Sequence, residues 1–340
     1  MKIFIDIGHP AHVHYFRNFI KIMESRGHEF LITARDRQHV FALLDFYGIK
    51  YISRGKGSES TMGKIFYLVK ASFRILMLVR TFRPDIFIDF GTMYSCLSSF
   101  LTGKKHIVFE DTEITGLYRT IYKPFVNEIY TPECFELDLG NKHKRFKGYM
   151  ELAYLQDKYF TPEESVLESA GLKPGDVFSI VRFVNWKAVH DMGNAGMTTV
   201  EKISLVRKLE KYGRVFISSE MPLPEELDRY RLNLRSEKLH SLMSFAALVI
   251  GESATMASEA VMLGTPAIYV DKEGRGYTRD LKNRYGVLFN FTPDDMDGVI
   301  AKAEELLSSG EWKKKALTMR KKILSENADL TELMVTVAVK

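Results

Sequence analysis

Short apolar runs that do not alternate with polar residues, each leading into a helical segment, recur along the chain in two series. KIFIDIG (2–8), EFLITAR (29–35), IKYIS (49–53), DIFIDFG (85–91), HIVFED (106–111) and NEIYTP (127–132) form the first. VFSIVRFV (177–184), RVFISSE (214–220), ALVIG (247–251), PAIYVD (266–271) and VLFNF (287–291) form the second. Runs of this kind read as strands buried on both faces. Strand and helix in strict succession predict a parallel sheet covered by helices on both sides. The clearest helices fall at 14–26, 37–47, 62–82 and 292–309; in the last, Thr292 is the expected N-cap, with Pro293 and acidic residues in the first turn.

Between the series the pattern breaks. FKGYMELAYLQDKYFTPEESVLESAGLKPGD (146–176) has no clear strand after its first residues and ends in a Lys-Pro-Gly-Asp turn. At 340 residues the chain suits two domains of about 150 residues each. The expected division is an amino-terminal, acceptor-side domain over 1–150, a linker over 151–176 and a nucleotide-sugar-binding domain over 177–310. Helices over 311–340 are expected to pack back on the first domain. Two Rossmann-like α/β halves joined in this way are expected to face each other across a cleft at the carboxyl ends of their sheets.

Composition excludes several classes. A net charge of +5, from 48 Lys and Arg against 43 Asp and Glu, is only mildly basic. No nucleic-acid motif accompanies it, so a nucleic-acid partner is not expected. The excess suits anionic small molecules or an anionic membrane face. Two cysteines, Cys96 and Cys134, match no metal or redox spacing, and a reduced, cytoplasmic protein is the expectation. MKIFIDIGHP is a first strand rather than a signal peptide, because Asp6 interrupts its apolar run. No transmembrane helix is expected. IFYLVKASFRILMLVRTF (65–82) carries Lys70, Arg74 and Arg80, and reads as an amphipathic helix. Its apolar face is expected in the core of the first domain, with a peripheral membrane contact as the alternative.

The stretch VIGESATMASEAVMLGTPAIYVD (249–271) carries the strongest chemical signal. A strand ends at Gly251 and a helix begins near Ser253. Free amides at a helix start, with the macrodipole, make an anion site worth roughly a kcal/mol or more. Ser253, Ala254 and Thr255 are small enough to let a phosphate reach the backbone. Thr255 and Glu259 are four apart and share a face, so the carboxylate is placed to accept hydrogen bonds from ribose hydroxyls. A tightly packed crossover with small residues at the helix-sheet contact is the competing explanation.

This stretch resembles the nucleotide-binding signature of the carboxyl-terminal domain of GT-B enzymes, the architecture of MurG-type N-acetylglucosaminyltransferases and of non-hydrolysing UDP-GlcNAc 2-epimerases. The resemblance implies that Ser253, Ala254 and Thr255 hold a diphosphate and Glu259 a ribose. Glu252 stands where many relatives have a second glycine, and puts a negative charge beside that diphosphate. DIGHPAHVHYFR (6–17), FEDTE (109–113), KGYMELAYL (147–155) and the TMASEAVMLGTPAIYVD run further resemble the blocks of an uncharacterised, mainly archaeal family with this fold, over nearly the whole chain.

In MurG-like enzymes a Gly-His pair ends the loop after the first strand. Ala11-His12 stands in that place, which implies His12 as general base or phosphate contact. His9 and His14 are second choices, and a metal site from the three histidines lacks a nearby acidic partner. Glu110, Asp111 and Glu113 end a buried strand, and Asp111 is the candidate catalytic carboxylate. Arg182 ends the first strand of the second series and can take a diphosphate bidentately. Lys187 and His190 beyond it are weaker candidates, as are Arg275, Thr278 and Arg279 after strand 266–271.

The resulting expectation is a glycosyltransferase moving a sugar from a nucleoside-diphosphate donor, UDP-linked by resemblance, to a lipid-linked or glycan acceptor. No Asp-X-Asp motif ends a strand, so neither metal nor cofactor is expected. A sugar-nucleotide 2-epimerase is the alternative, although those enzymes carry Arg-Pro-Glu where this chain has Gly-His-Pro-Ala-His. A non-catalytic sugar-nucleotide-binding protein is the third reading.

Overall fold

The computed structural model describes residues 1–58, 60–184, 196–219 and 221–340. The chain forms two units: Met1–Gln156 with Ala328–Lys340, and Asp157–Asn327.

The first unit runs β1 (Lys2–Ile7), α1 (Pro10–Ser25), β2 (Glu29–Ala34), α2 (Gln38–Phe46), β3 (Ile52–Ser53), α3 (Thr61–Phe82), β4 (Ile86–Phe90), α4 (Cys96–Leu101), β5 (Lys105–Phe109), α5 (Gly116–Tyr122), β6 (Glu128–Pro132) and β7 (His143–Phe146). The sheet order is β3-β2-β1-β4-β5-β6-β7, with parallel pairing throughout. Phe4, Ile5 and Ile7 of β1 are fully buried, and α1 covers the sheet with Val13, Phe16, Phe19, Ile20 and Met23. Strand β7 has no apolar run. It is an edge strand whose Lys144 and Arg145 are exposed, which is why the pattern of the sequence passes over it.

The second unit runs α6 (Ser165–Ser169), β8 (Phe178–Phe183), α7 (Thr199–Leu209), β9 (Arg214–Ser219), α8 (Glu225–Asp228), α9 (Leu239–Phe245), β10 (Leu248–Gly251), α10 (Ala254–Met262), β11 (Ala267–Val270), α11 (Gly276–Tyr285), β12 (Leu288–Phe291), α12 (Met296–Leu307) and α13 (Glu311–Glu326). Its sheet, also parallel, has the order β12-β11-β10-β8-β9. Val181, Ile250, Ile268, Leu205 and Val299 sit at the heart of its core. A capping box opens α7: Thr198 Oγ1 accepts from the Glu201 amide and Glu201 Oε2 from the Thr198 amide at 2.6 Å.

Three details differ from the sequence reading. The boundary inside 151–176 falls at 156/157, so the expected linker is shared between the units. Within 311–340, α13 belongs to the second unit, and only α14 (Leu330–Ala338) returns to the first. Thr331 Oγ1 there donates to the Ala153 carbonyl at 2.8 Å, and the Ala328 amide to that of Lys147 at 2.9 Å. Finally, α12 is capped by Asp295, which accepts from the Gly298 amide at 3.0 Å, while Thr292 accepts the Asp295 amide in a preceding turn.

Helix α3 meets the core with one side only. Tyr67, Ala71, Ile75 and Val79 are buried on it in one stripe four residues apart, Leu78 and Phe82 pack partly against the core, and Met62, Ile65, Phe66, Val69, Phe73 and Met77 are exposed. The expected core-facing side is present, and a second apolar side is left uncovered.

Both sheets have a point where strand order reverses. In the first unit it lies between β1 and β4, in the second between β8 and β10. Loops leaving the carboxyl ends of such strands diverge to opposite faces and open a crevice for ligands. The segments after β1 and β10 are the two motifs singled out above.

Candidate functional site

In the second unit β10 ends at Gly251, whose φ of +150° and close approach to the backbone of β8 exclude a side chain. A Cβ there would lie 2.1 Å from the Arg182 carbonyl oxygen. Ser253 then caps α10, its Oγ accepting from the Met256 amide at 3.3 Å. Ser253, Ala254 and Thr255 are half-buried at this start, whereas Met256 to Ala260 are buried. Small side chains therefore surround the only accessible turn of α10, at the positive end of its dipole.

Arg182 sits one residue before the end of β8, opposite Gly251 on one side and Ser218 on the other. Its Nη1 donates to Ser218 Oγ of β9 at 2.8 Å. Glu259 is buried one turn into α10, and its Oε1 accepts from His240 Nε2 of α9 at 2.9 Å. The sequence reading missed His240, because nothing in a lone histidine 19 positions away announces the pairing.

Glu252 does not place its charge at the helix start. Its carboxylate turns back to accept the amides of Val184 at 3.1 Å and Met197 at 2.8 Å, with Lys202 Nζ at 3.8 Å. It thus ties Val184 to Met197. Lys187 and His190 lie outside the described residues.

After β11, Asp271 Oδ1 accepts the amides of Glu273 and Gly274 at 2.7 and 2.9 Å and forms a tight turn into α11. Arg275 Nη1 lies 3.6 Å from the same oxygen, and Arg279 Nη1 donates to the Glu273 carbonyl at 2.9 Å. Thr278, expected to face a ligand, is instead fully buried. Its hydroxyl accepts from the Arg275 amide and donates to the Arg275 carbonyl, so it is a capping residue.

In the first unit His9 caps α1, its Nδ1 accepting from the Ala11 amide at 3.2 Å, and Pro10 follows at the first helical position. This cap starts α1 four residues earlier than its apolar periodicity alone predicts. His9 remains exposed. His14 faces inward: it is buried, stacked on Tyr154 at 5.2 Å and edge-on to Tyr47. That position makes it a packing residue rather than a ligand contact. Among the described residues no group of three or more His, Cys, Asp and Glu is arranged to hold a metal ion.

His12 is half-buried, with its ring 4.9 Å from that of Phe90. Its Nδ1 accepts the Gly8 amide at 3.4 Å. Desolvation lowers its pKa well below the ordinary histidine value, and the charges of His9, Arg54 and Arg37 lower it further. The ring is neutral at pH 7, and the Gly8 contact leaves its one proton on Nε2.

Arg54 is a second residue that the sequence did not disclose. It follows β3 and is buried: its Nε donates to Asp6 Oδ1 at 2.8 Å, its Nη1 to the Tyr67 hydroxyl, and its guanidinium lies over the Tyr94 ring at 4.0 Å. A Cβ at Gly8 would stand 3.4 Å from Arg54 Nη2 and 3.9 Å from His12 Cε1, so both side chains flank the loop after β1. Asp6 also accepts from Thr33 and Thr92, and its amide donates to Asp89, which accepts in turn from Ser95 and from His106 Nε2 at 3.0 Å. A buried polar chain thus underlies the reversal point of the sheet. Burial opposes the charge of Arg54, but Asp6, Tyr67 and Tyr94 more than offset that and hold its pKa above the usual value.

The acidic triplet after β5 divides its tasks. Glu110 is buried and engaged by Arg119, Thr115 and Tyr122 together. Glu113 Oε1 accepts the Glu136 amide at 3.2 Å, while Arg119 collects the Thr112 and Glu113 carbonyls. Glu110 is a buried brace of the loop, whereas Glu113 is half-buried. Asp111 is buried, with its Oδ1 accepting from Thr112 Oγ1 at 2.7 Å.

Two parallel sheets with these strand orders define a protein of GT-B fold. The chain belongs to the family described as "Protein of unknown function (DUF354)", whose model matches residues 1–339. It is 19% identical over 325 residues to the uncharacterized protein MJ0665 of Methanocaldococcus jannaschii, covering 87% of this chain and 92% of that one. Among solved structures it is similar to a UDP-GlcNAc 2-epimerase from Neisseria meningitidis bound to UDP-GlcNAc, with a TM-score of 0.73 and 12% identity over the full length of both chains. The UDP-GlcNAc 2-epimerase of Methanocaldococcus jannaschii gives 0.69 at 13% identity, over 100% of this chain and 99% of that one. The spinosyn rhamnosyltransferase SpnG complexed with thymidine diphosphate gives 0.65 at 12% identity, over 99% of each chain. At these identities the likeness establishes the fold.

Proposed function

We propose that the protein is a glycosyltransferase that binds a nucleoside-diphosphate sugar on its second unit and transfers the sugar to a separate acceptor. The observation that carries this reading is the start of α10. Its small, accessible residues Ser253, Ala254 and Thr255 lie at the reversal point of the sheet, next to Arg182 and one turn before the buried Glu259–His240 pair. A diphosphate is matched by the amides and Arg182, and a ribose by Glu259. Neutralisation of the departing diphosphate by these groups needs no metal. Of the solved structures named above, two hold a nucleoside diphosphate or its sugar, UDP-GlcNAc in one and thymidine diphosphate in the other.

His12 and Asp111 are the hydrogen-bonding and acid-base candidates of the first unit. A neutral ring whose Nδ1 faces the Gly8 amide presents Nε2–H, so His12 donates a hydrogen bond to a substrate oxygen. Asp111 is then the group that accepts the acceptor's proton.

Epimerisation of the same donor is the second reading, favoured by the higher TM-scores of the two epimerases (0.73 and 0.69) over that of the transferase (0.65). Incubation with UDP-sugars and lipid or glycan acceptors, followed by mass analysis, separates them. Transfer releases the nucleoside diphosphate, whereas epimerisation conserves donor mass. Tight binding with neither product leaves a sugar-nucleotide-binding protein.

A further inference from the structure

Helix α3 carries a second apolar face that the first unit leaves uncovered. Met62, Phe66, Val69, Phe73 and Met77 follow one another at steps of four, three, four and four residues, and so share one side of the helix. Ile65 lies beside them. All six are exposed, Met62 at 77%, Phe66 at 70% and Val69 at 65%. The buried stripe of Tyr67, Ala71, Ile75 and Val79 occupies the opposite side. At 1.5 Å per residue the exposed stripe is about 22 Å long. Helix α4, which packs against α3, adds the exposed Phe100 and Leu101. Contiguous apolar surface on this scale marks a docking face.

Charge decides what docks. The helix Thr61–Phe82 contains Lys64, Lys70, Arg74 and Arg80 and no acidic residue, and Lys70, Arg74 and Arg80 are exposed beside the apolar stripe. A second copy of the chain would bring this basic helix against its own image and set like charges together. An anionic lipid surface neutralises them while its acyl boundary accepts the aromatic and aliphatic side chains. Among the described residues no helix is long and apolar enough to cross a membrane, so the mode is lying on the surface.

We propose that α3 is a membrane-docking helix, which seats the first unit on an anionic bilayer with Phe66, Val69 and Phe73 at the acyl boundary and Lys70 and Arg74 among the headgroups.

The experiment is flotation of the full chain with phosphatidylcholine vesicles, with and without phosphatidylglycerol, at low and high salt. The expected result is co-flotation with the anionic vesicles that weakens as salt rises. A Phe66→Ser/Phe73→Ser variant, with thermal stability retained, is expected to bind roughly tenfold more weakly or worse, as is Lys70→Glu/Arg74→Glu. Flotation no better than in vesicle-free controls would overturn the proposal. So would sedimentation showing a dimer that the serine variant dissociates, since a second copy would then cover the face. Flotation requires no sugar nucleotide, so its result is separable from the proposed activity.

Discussion

His240 Nε2 donates to Glu259 Oε1 at 2.9 Å, and both side chains are buried beneath the first turns of α10. One oxygen of the carboxylate is fixed by this bond, which orients the group on the face it shares with Thr255. Glu259→Ala is expected to weaken binding of UDP by about 10- to 100-fold, the worth of hydrogen bonds to a charged group. Binding of free uridine should weaken in parallel, because the ribose is common to both. Isothermal titration with the two ligands checks this; an unchanged uridine affinity would remove Glu259 from the ribose site.

The roles open to His12 differ in what a substitution preserves. His12→Gln keeps an N–H donor near Nε2, whereas His12→Phe keeps only the ring shape. If His12 donates to substrate, the Phe variant should lose about 10- to 100-fold in kcat/KM and the Gln variant markedly less. Equal losses in both would mean that the imidazole must take a proton. A stability signature accompanies this. The folded-state pKa lies below the ordinary 6.5, so the unfolded chain binds an extra proton as pH drops through that value. The His12 contribution to stability therefore falls from pH 6.5 downward until the folded-state pKa is reached, and His12→Gln should flatten that part of the urea-denaturation profile.

Arg54 and Asp6 form a buried ion pair at 2.8 Å, with side-chain exposures of 1% and 0%. Removing one charge strands the other, so Arg54→Met alone should cost about 3–5 kcal/mol in urea unfolding. The double change Arg54→Met/Asp6→Asn should cost less than the sum of its parts, because no lone charge remains buried. Additive losses would show that the pair does not act as a unit.

Lys313 of α13 donates to the Ser244 carbonyl and the Thr265 hydroxyl, and burial lowers its pKa to about 7 from an ordinary 10.5. Between these values the unfolded chain holds the proton that the folded chain lacks. Stability should accordingly rise from about pH 7 upward, by at most about 1.4 kcal/mol per pH unit from this group. Lys313→Met should be more stable than wild type at pH 7 and lack that slope. Thermal melts at pH 7, 8 and 9 test it; parallel curves would contradict it.

Much of the architecture is readable from residue order because buried parallel strands are written as continuous apolar runs. The strands around Ile5, Ile88, Val108, Val181, Ile250 and Ile268 all announce themselves in this way. What stayed hidden has a common cause: long-range polar pairing leaves no local pattern. Glu110 meets Arg119 nine residues on, and Glu113 meets the Glu136 amide 23 residues on. Glu252 resembled an intruding charge until its amide partners at Val184 and Met197 appeared. Arg54 lacked any motif, since its partners Asp6 and Tyr67 are 48 and 13 residues away. The extent of the outward face of α3 is hidden for a different reason, because apolar residues on both sides of a helix do not say which side is covered.

By the proposed function, the start of α10 receives a nucleoside diphosphate. Calorimetric titration of UDP into wild type and into Ala254→Glu tests it most directly, since the substitution sets a carboxylate among the helix-start amides without touching the buried face. Saturable binding by the wild type and its loss in the variant are expected, with the fold intact by circular dichroism. Equal affinity in the two proteins, or no binding of any nucleoside diphosphate by the wild type, would contradict it.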